Sequence, residues 1–415
     1  MKKTIVKLIT RFIGNKCVTF DGSRVYYWKV PMIILPFKSL SSLQKDLYDN
    51  FGEDSKKVLY ALGKIQGKNG CNILIKKYSV RPSISDLSFF MEQTEFVGIG
   101  RMKFLKKDFN KNNFKIRMEP SINANVYLKE FGKVKYPICD YVRGLVTGAL
   151  QAVSRSIENN EEISLEGIEM KCIAKGENEC VFEIKDIKSL DKKDNNFTNQ
   201  IPLNINELNL AYKKETLPSL LREPYSYVRD PNTKLSSFLK NKLKGKPFVF
   251  GSKGDVFLLE SESLITPLDI FVLFYYILRN RFGKKIDQIF YKNGNLLGKE
   301  FTKKIIKKFN LDLKNKNDQR LLFDQIGLFG LGKIEIVKFD IKNKNFIFRL
   351  FNSPSNHLKQ LVGNKKLKSD FFISGIINGI IEELFNTKTK TIENMCVLKG
   401  DKYCLFKTNK KNIIS

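Results

Sequence analysis

Residues 169–180 read EMKCIAKGENEC, and residues 393–404 read ENMCVLKGDKYC. Both follow E-x-x-C-x-x-x-G-x-x-x-C, with Gly176 and Gly400 midway between the cysteines. A glycine there takes φ > 0 and closes a short hairpin loop. The residues that follow, CVFEI and CLFKT, are strand-like. Folding each hairpin about its glycine sets Cys172 opposite Cys180 and Cys396 opposite Cys404. Two thiols and a carboxylate are three of the four ligands of a tetrahedral zinc. Side chains alternate along a regular strand, so Glu169 and Cys172 point to opposite faces. The metal reading therefore requires a bulge or strong twist between them.

A fourth ligand lies upstream of each copy, Cys139 in CDYVRGLVTGAL and Asp370 in DFFISGIINGII. Each opens an apolar run of helical spacing with glycines five and nine residues on: Gly144 and Gly148, Gly375 and Gly379. The candidate ligand sets are Cys139, Glu169, Cys172, Cys180 and Asp370, Glu393, Cys396, Cys404. Alternatively, Asp370 caps its helix, and the cysteines are buried thiols or hairpin disulfides. The odd count of seven cysteines and the lack of a secretory signal point to reduced thiols.

The rest of the chain also repeats. Gly52, Gly63 and Gly67 recur as Gly283, Gly294 and Gly298, and VYYW at 25–28 recurs as VFLL at 256–259, all shifted by 231. FVGIGRMKF at 96–104 recurs as LFGLGKIEI at 328–336, shifted by 232, while the hairpin motif returns at a shift of 224. Two homologous domains of ordinary size explain this. About seven extra residues fall in the first copy, near SRSIENNEE. The expected organisation is a basic arm (1–16), a first domain (17–187), a polar linker (188–247), a second domain (248–408) and a basic tail (409–415). Within the first, 17–35 reads as strand segments and 37–66 as helix ended by GKIQGKNG. Residues 96–109 and 112–120 read as two strands, and 137–158 as a helix headed by Cys139.

The 415 residues are 42% hydrophobic, enough to build cores in both domains. The N-terminal MKKTIVKLITRFIG is too short and interrupted for a signal peptide or span. LITPLDIFVLFYYILRN reads as a buried helix. The chain is expected to be soluble, cytoplasmic and without a transmembrane segment. A net charge of +30, spread along the chain, favours an acidic protein, nucleic acid or anionic membrane. No DNA- or RNA-recognition motif accompanies it, so sequence-specific binding is not expected. The only histidine, His357, sits in a polar NSPSNHLKQ context and reads as a surface loop residue. Trp28, the only tryptophan, reads as core. The G-x-G of GIGRMKF and GLGKIEI recurs in strand-like context and reads as a structural turn rather than a dinucleotide fingerprint.

The combination of C-x4-G-x3-G with E-x-x-C-x7-C resembles tandem 4-vinyl reductase (4VR) domains. Copy one matches at Cys139, Gly144, Gly148, Glu169, Cys172 and Cys180. Copy two matches at Gly375, Gly379, Glu393, Cys396 and Cys404, with Asp370 where the family has cysteine. The resemblance implies an α+β fold, a twisted antiparallel sheet packed with helices, similar to vesicle-tethering TRAPP subunits. It implies a structural zinc in each copy, up to two in all. It also implies an apolar small-molecule site and pairing of the two copies as an internal pseudo-dimer. The His and Trp that grip phenol in the family's phenol sensors have no counterpart here, and the Phe-rich copies point to a larger, less polar ligand.

The leading expectation is a non-enzymatic binding protein, a sensor, carrier or assembly factor for an apolar, aromatic or tetrapyrrole-like molecule. The alternatives are an enzyme or accessory factor of chlorophyll or bilin metabolism, and a basic adaptor for nucleic acid or anionic membrane. No hydride-donor fingerprint supports autonomous vinyl reduction.

Overall fold

The computed structural model describes residues 18–20, 25–27, 30–77, 94–95, 97–160, 162–189, 248–250 and 255–409. The expected arm, nearly all of the linker and tail, and Trp28 lie outside the described residues. The architecture is α+β. Repeat one runs β1 (Val18–Phe20), β2 (Val25–Tyr27), β3 (Val30–Pro36), α1 (Phe37–Lys77), β4 (Gly100–Asp108), β5 (Asn113–Ser121), α2 (Ile122–Phe131), α3 (Asp140–Glu158), β6 (Leu165–Lys171) and β7 (Cys180–Asp186). Repeat two runs β8 (Phe248–Phe250), β9 (Val256–Leu258), β10 (Ser261–Pro267), α4 (Leu268–Phe282), α5 (Lys285–Phe309), α6 (Lys316–Leu321), α7 (Gln325–Leu328), β11 (Lys333–Asp340), β12 (Asn345–Phe351), α8 (Pro354–Val362), α9 (Phe371–Phe385), β13 (Lys390–Met395) and β14 (Cys404–Asn409).

Each repeat carries its own four-stranded antiparallel sheet, β4-β5-β7-β6 and β11-β12-β14-β13. A third sheet, β1-β2-β3-β10-β9-β8, takes three strands from each repeat and joins them at β3 and β10. Its central register pairs Met32 with Pro267, Ile34 with Ile265, and Pro36 with Ser263. MIIL and LIT are buried there, because both faces of these central strands are covered. The G-x-G segments lock the joint reciprocally. The Ile34 N–H donates to Phe329 O at 3.0 Å, and the Ile265 N–H donates to Val97 O at 2.9 Å. Gly98 (φ +89) and Gly330 (φ +76) lie so near the other repeat's strand that a Cβ on either would sit 2.3 Å from Ser263 O or Met32 O.

The long helix does not end at GKIQGKNG. It bends at Gly52 (φ 52, ψ −135) and continues to Lys77. Gly63 and Gly67 face α3 instead of breaking the helix. A Cβ on Gly63 would lie 2.0 Å from Tyr141 O, and one on Gly148 would lie 1.9 Å from Lys64 O. Gly294, Gly298, Gly375 and Gly379 do the same between α5 and α9. Glycine at four-residue spacing on both helices permits backbone contact that any side chain would block. The buried-helix reading of LITPLDIFVLFYYILRN holds from Leu268 onward, but Leu264–Pro267 belong to β10. Part of the extra length in copy one is helix: α3 has 19 residues and α9 has 15. Among the described residues, no helix is long and apolar enough to cross a membrane.

His357 is not in a surface loop. Ser353 adopts an extended conformation at the N-cap and Pro354 occupies the first turn, so the polar stretch starts α8. His357 then faces α4, is 2% exposed, and its Nδ1 lies 3.2 Å from Asp269 Oδ1.

Candidate metal centres and an apolar cavity

In each repeat the last hairpin builds a pocket of acidic ligand atoms. The β6–β7 register slips between Glu169 and Lys171, and the β13–β14 register slips between Glu393 and Met395. These are the bulges that the E-x-x-C spacing requires, and they turn carboxylate and thiol to one side. Cys172 then leads a single 3-10 turn, Ile173–Lys175, closed by Gly176 at φ +96. Cys396, Val397–Lys399 and Gly400 (φ +103) repeat that turn. In both loops a backbone N–H points at the second sulfur: Ile173 N to Cys180 Sγ and Val397 N to Cys404 Sγ, each 3.4 Å. Such donors stabilise thiolate over thiol.

The N-cap of the glycine helix closes the first cluster. Cys139 precedes Asp140 at the start of α3, and its N–H donates to Glu169 Oε2 at 2.9 Å. One ligand atom each from Cys139, Glu169, Cys172 and Cys180 all lie within 4.8 Å of one another, and all four residues are buried. Two thiolates on a tetrahedral zinc with ~2.3 Å bonds stand about 3.8 Å apart. Cys139 Sγ and Cys180 Sγ are 3.7 Å apart. The described cysteines are free, so no disulfide joins these hairpins.

The second cluster unites Glu393, Cys396 and Cys404 within the same spacing. Asp370 is buried at the N-cap of α9 and its N–H donates to Glu393 Oε2 at 3.3 Å, but its carboxylate stands outside that spacing. Its side chain makes no helix-capping hydrogen bond. Two serines border this cluster, Ser353 Oγ at 3.3 Å from Cys404 Sγ and Ser355 Oγ at 3.6 Å from Cys396 Sγ. The Cys396 N–H donates to Asp401 Oδ2 at 2.7 Å. Sequence reasoning missed these three residues. Ser121, 232 residues before Ser353, stands 3.8 Å from Cys139 Sγ and was the available signal.

The electrostatics of both clusters ask for a cation. Burial pushes Glu169 and Glu393 well above the ordinary carboxyl range, and it raises Asp370 to about 7. Hydrogen bonding from Cys139 lowers the Cys180 thiol to about 5, and hydrogen bonding from Cys404 does the same for Cys396. One thiolate in each cluster is thus held by protons on its neighbours. Glu169 Oε1, Glu393 Oε1 and Asp370 Oδ2 are buried with no hydrogen-bond partner among the described residues. An orphaned buried acceptor is costly, and a dication in place of the shared protons would satisfy every one. Both Cys/Glu clusters can hold a metal ion.

A cavity of about 100 Å³ lies between the repeats, beside the first cluster. Leu40, Leu43 and Leu59 of α1 and Val142 of α3 form one side, and Leu264 of β10 and Phe271 and Phe274 of α4 form the other. Its polar groups are Gln44, Asn123, Tyr141 and Thr266. Asn123 Nδ2 donates to Gln44 Oε1 at 3.2 Å, and Gln44 Nε2 donates to Tyr48 Oη and to Ile138 O, next to Cys139. Tyr48 in turn donates to Asp140 Oδ2 at 2.7 Å, which also accepts from Arg143 Nη2 at 2.9 Å. Buried hydrogen bonds therefore run from the cavity wall to the residues flanking Cys139. A glutamine on an amphipathic helix has no sequence signature, and this wall was not legible.

No family model matches the chain. No curated protein matches it. Among solved structures, the chain is similar to the phenol-responsive sensory domain of the transcription activator PoxR with phenol. The identity is 18%, 46% of this chain and 94% of that one are covered, and the TM-score is 0.37. It is similar to a trafficking protein particle complex subunit 3 from Naegleria fowleri covalently bound to palmitic acid, at 16% identity, 34% and 93% coverage and TM-score 0.26. It is similar as well to a vinyl-4-reductase family protein from Methanocaldococcus jannaschii, at 21% identity, 31% and 68% coverage and TM-score 0.21. These are the kinds of protein that the paired C-x4-G-x3-G and E-x-x-C-x7-C motifs resemble.

Proposed function

We propose that the chain is a non-enzymatic small-molecule-binding protein. Its two repeats form an internal pseudo-dimer, each repeat is clamped by a structural zinc, and an apolar molecule occupies the cavity between them. The observation that carries this reading is the cavity itself. Its lining is aliphatic and aromatic, and its polar groups are amides and hydroxyls. Burial raises the one ionisable group among them, Tyr141, to about 12, so the lining suits binding better than proton transfer near neutral pH.

Zinc is the metal that the donors favour, because it accepts thiolate and carboxylate together in a closed tetrahedral set. Cys139, Glu169, Cys172 and Cys180 would hold one ion. Glu393, Cys396 and Cys404 would hold the other, with Asp370 as the fourth ligand. A closed set leaves no position for substrate, and the metal would fix the hairpin to the N-terminus of the glycine helix. Common ligand pockets measure roughly 300–1,000 Å³. The smaller cavity here, of about 100 Å³, favours a single-ring or short-chain molecule over a tetrapyrrole.

Thermal-shift titration of the intact chain with 1-hexanol and benzyl alcohol tests the binding reading. A saturable rise in Tm is expected. Reduction of a vinyl tetrapyrrole by the isolated protein with a nicotinamide cofactor would overturn the non-enzymatic reading.

A further inference from the structure

The two repeats do not offer equivalent sites. At the constant shift of 231, the cavity residues Leu40, Gln44, Leu59 and Tyr141 correspond to Phe271, Tyr275, Phe290 and Phe372. Around these four aromatic residues the space shrinks to about 10 Å³. Their rings fill it. Phe271 meets Phe372 edge-on at 5.4 Å between centroids, and Tyr275 meets Phe290 edge-on at 5.1 Å. Phe290 is 1% exposed. The polar end has changed as well. Tyr275 stands where Gln44 stands, but its hydroxyl donates to Asp287 Oδ1 at 2.8 Å, a carboxylate also paired with Arg279 Nε at 2.7 Å. Asn123 of the cavity wall is replaced by Ser355, which borders the second metal cluster.

We infer that the chain takes one ligand, not two, and that repeat two has given up its own site to complete the site of repeat one. The inference rests on the binding reading above. Phe271 and Phe274 of α4 supply the far wall of the open cavity while Phe271 also fills the closed one. The ligand class follows from the walls. A cavity of about 150 Å³ lined by Leu, Ile and Phe admits benzene. The space here matches one ring or a short alkyl chain. The Gln44–Asn123 amide pair at one end offers N–H donors and C=O acceptors to a single hydroxyl or carbonyl oxygen. The ligand is therefore a small alcohol, aldehyde or ketone with an apolar body. The same body without oxygen binds more weakly, because the amide wall would then lose water without gaining a partner.

Native mass spectrometry and calorimetry of the full chain with benzyl alcohol, 1-hexanol and toluene test this. One equivalent of either alcohol per chain is expected, bound at least tenfold more tightly than toluene. Leu59→Phe places in repeat one the ring that fills repeat two, and it should abolish uptake with both metal clusters still loaded. Phe290→Leu makes the reverse exchange and should raise the stoichiometry to two equivalents of toluene, since the hydroxyl of Tyr275 stays engaged. Two equivalents in the unaltered chain, or unchanged uptake in both variants, would overturn the inference while leaving the binding reading intact. No uptake of any probe by the unaltered chain would overturn both.

Discussion

Ile34 and Ile265 face each other across the joint between β3 and β10, and each is the other's counterpart at the shift of 231. The pairs on either side, Met32 with Pro267 and Pro36 with Ser263, are symmetric about them. A pseudo-twofold axis thus passes between two isoleucines that are 0% and 2% exposed. Removing a buried isoleucine to alanine costs about 2–5 kcal/mol. Ile34→Ala and Ile265→Ala should each fall in that range by urea unfolding. Their effects should not add, because the two side chains share one environment. Additive losses would mean that the two repeats unfold independently.

The G-x-G segments predict a second effect at the same joint. Gly98→Ala and Gly330→Ala would each press a Cβ into a carbonyl oxygen of the other repeat from a positive φ. Each should lower stability by about 1–3 kcal/mol or more and widen the separation of the halves seen by small-angle X-ray scattering.

The glycine pairs between helices separate packing from helix propensity. Gly148→Ala meets Lys64 O at 1.9 Å and should destabilise by about 3 kcal/mol. Gly70→Ala lies in the same helix pair with open space around its Cβ, and it should stabilise by about 1 kcal/mol. Urea midpoints of the two variants should therefore move in opposite directions.

Repeat one alone buries an ion pair against this helix. Lys64 Nζ bonds Glu166 and Leu165 O, and Tyr60 donates to Glu166 Oε2 at 2.6 Å. Glu166→Leu strands the lysine and should cost about 3–5 kcal/mol, whereas adding Lys64→Met should restore most of it. The counterparts in repeat two, Asn295 and Lys390, form no such pair, so Asn295→Met should change stability by less than about 1 kcal/mol.

How much of this was legible depends on whether a constraint is local. The E-x-x-C-x-x-x-G-x-x-x-C motif was readable because a metal cluster on one hairpin fixes its own spacing, down to the bulge after Glu169. The repeats were readable because glycines at Gly52 and Gly63 cannot drift when a backbone depends on them. The run of α1 through Gly63 and Gly67 was not, since a packing glycine and a helix-ending glycine look alike until the partner helix is known. His357 was misread for a similar reason. Its polar neighbours hid a helix start at Pro354 and a partner, Asp269, distant in sequence. The phenylalanines of repeat two suggested a larger ligand, yet Phe271, Phe290 and Phe372 occupy the ligand's place themselves.

The two metal clusters carry the central claim, and metal analysis of the intact chain, purified under reducing conditions without chelator, tests it most directly. The account predicts two zinc ions per chain. Binding requires deprotonated thiols, and the second set replaces one of three thiolates with Asp370, so its ion should leave first as chelator rises or pH falls. Cys172→Ser should remove one ion and loosen repeat one, while Cys396→Ser should remove the other at smaller cost. A chain without zinc, or with a disulfide joining Cys172 to Cys180, would contradict it.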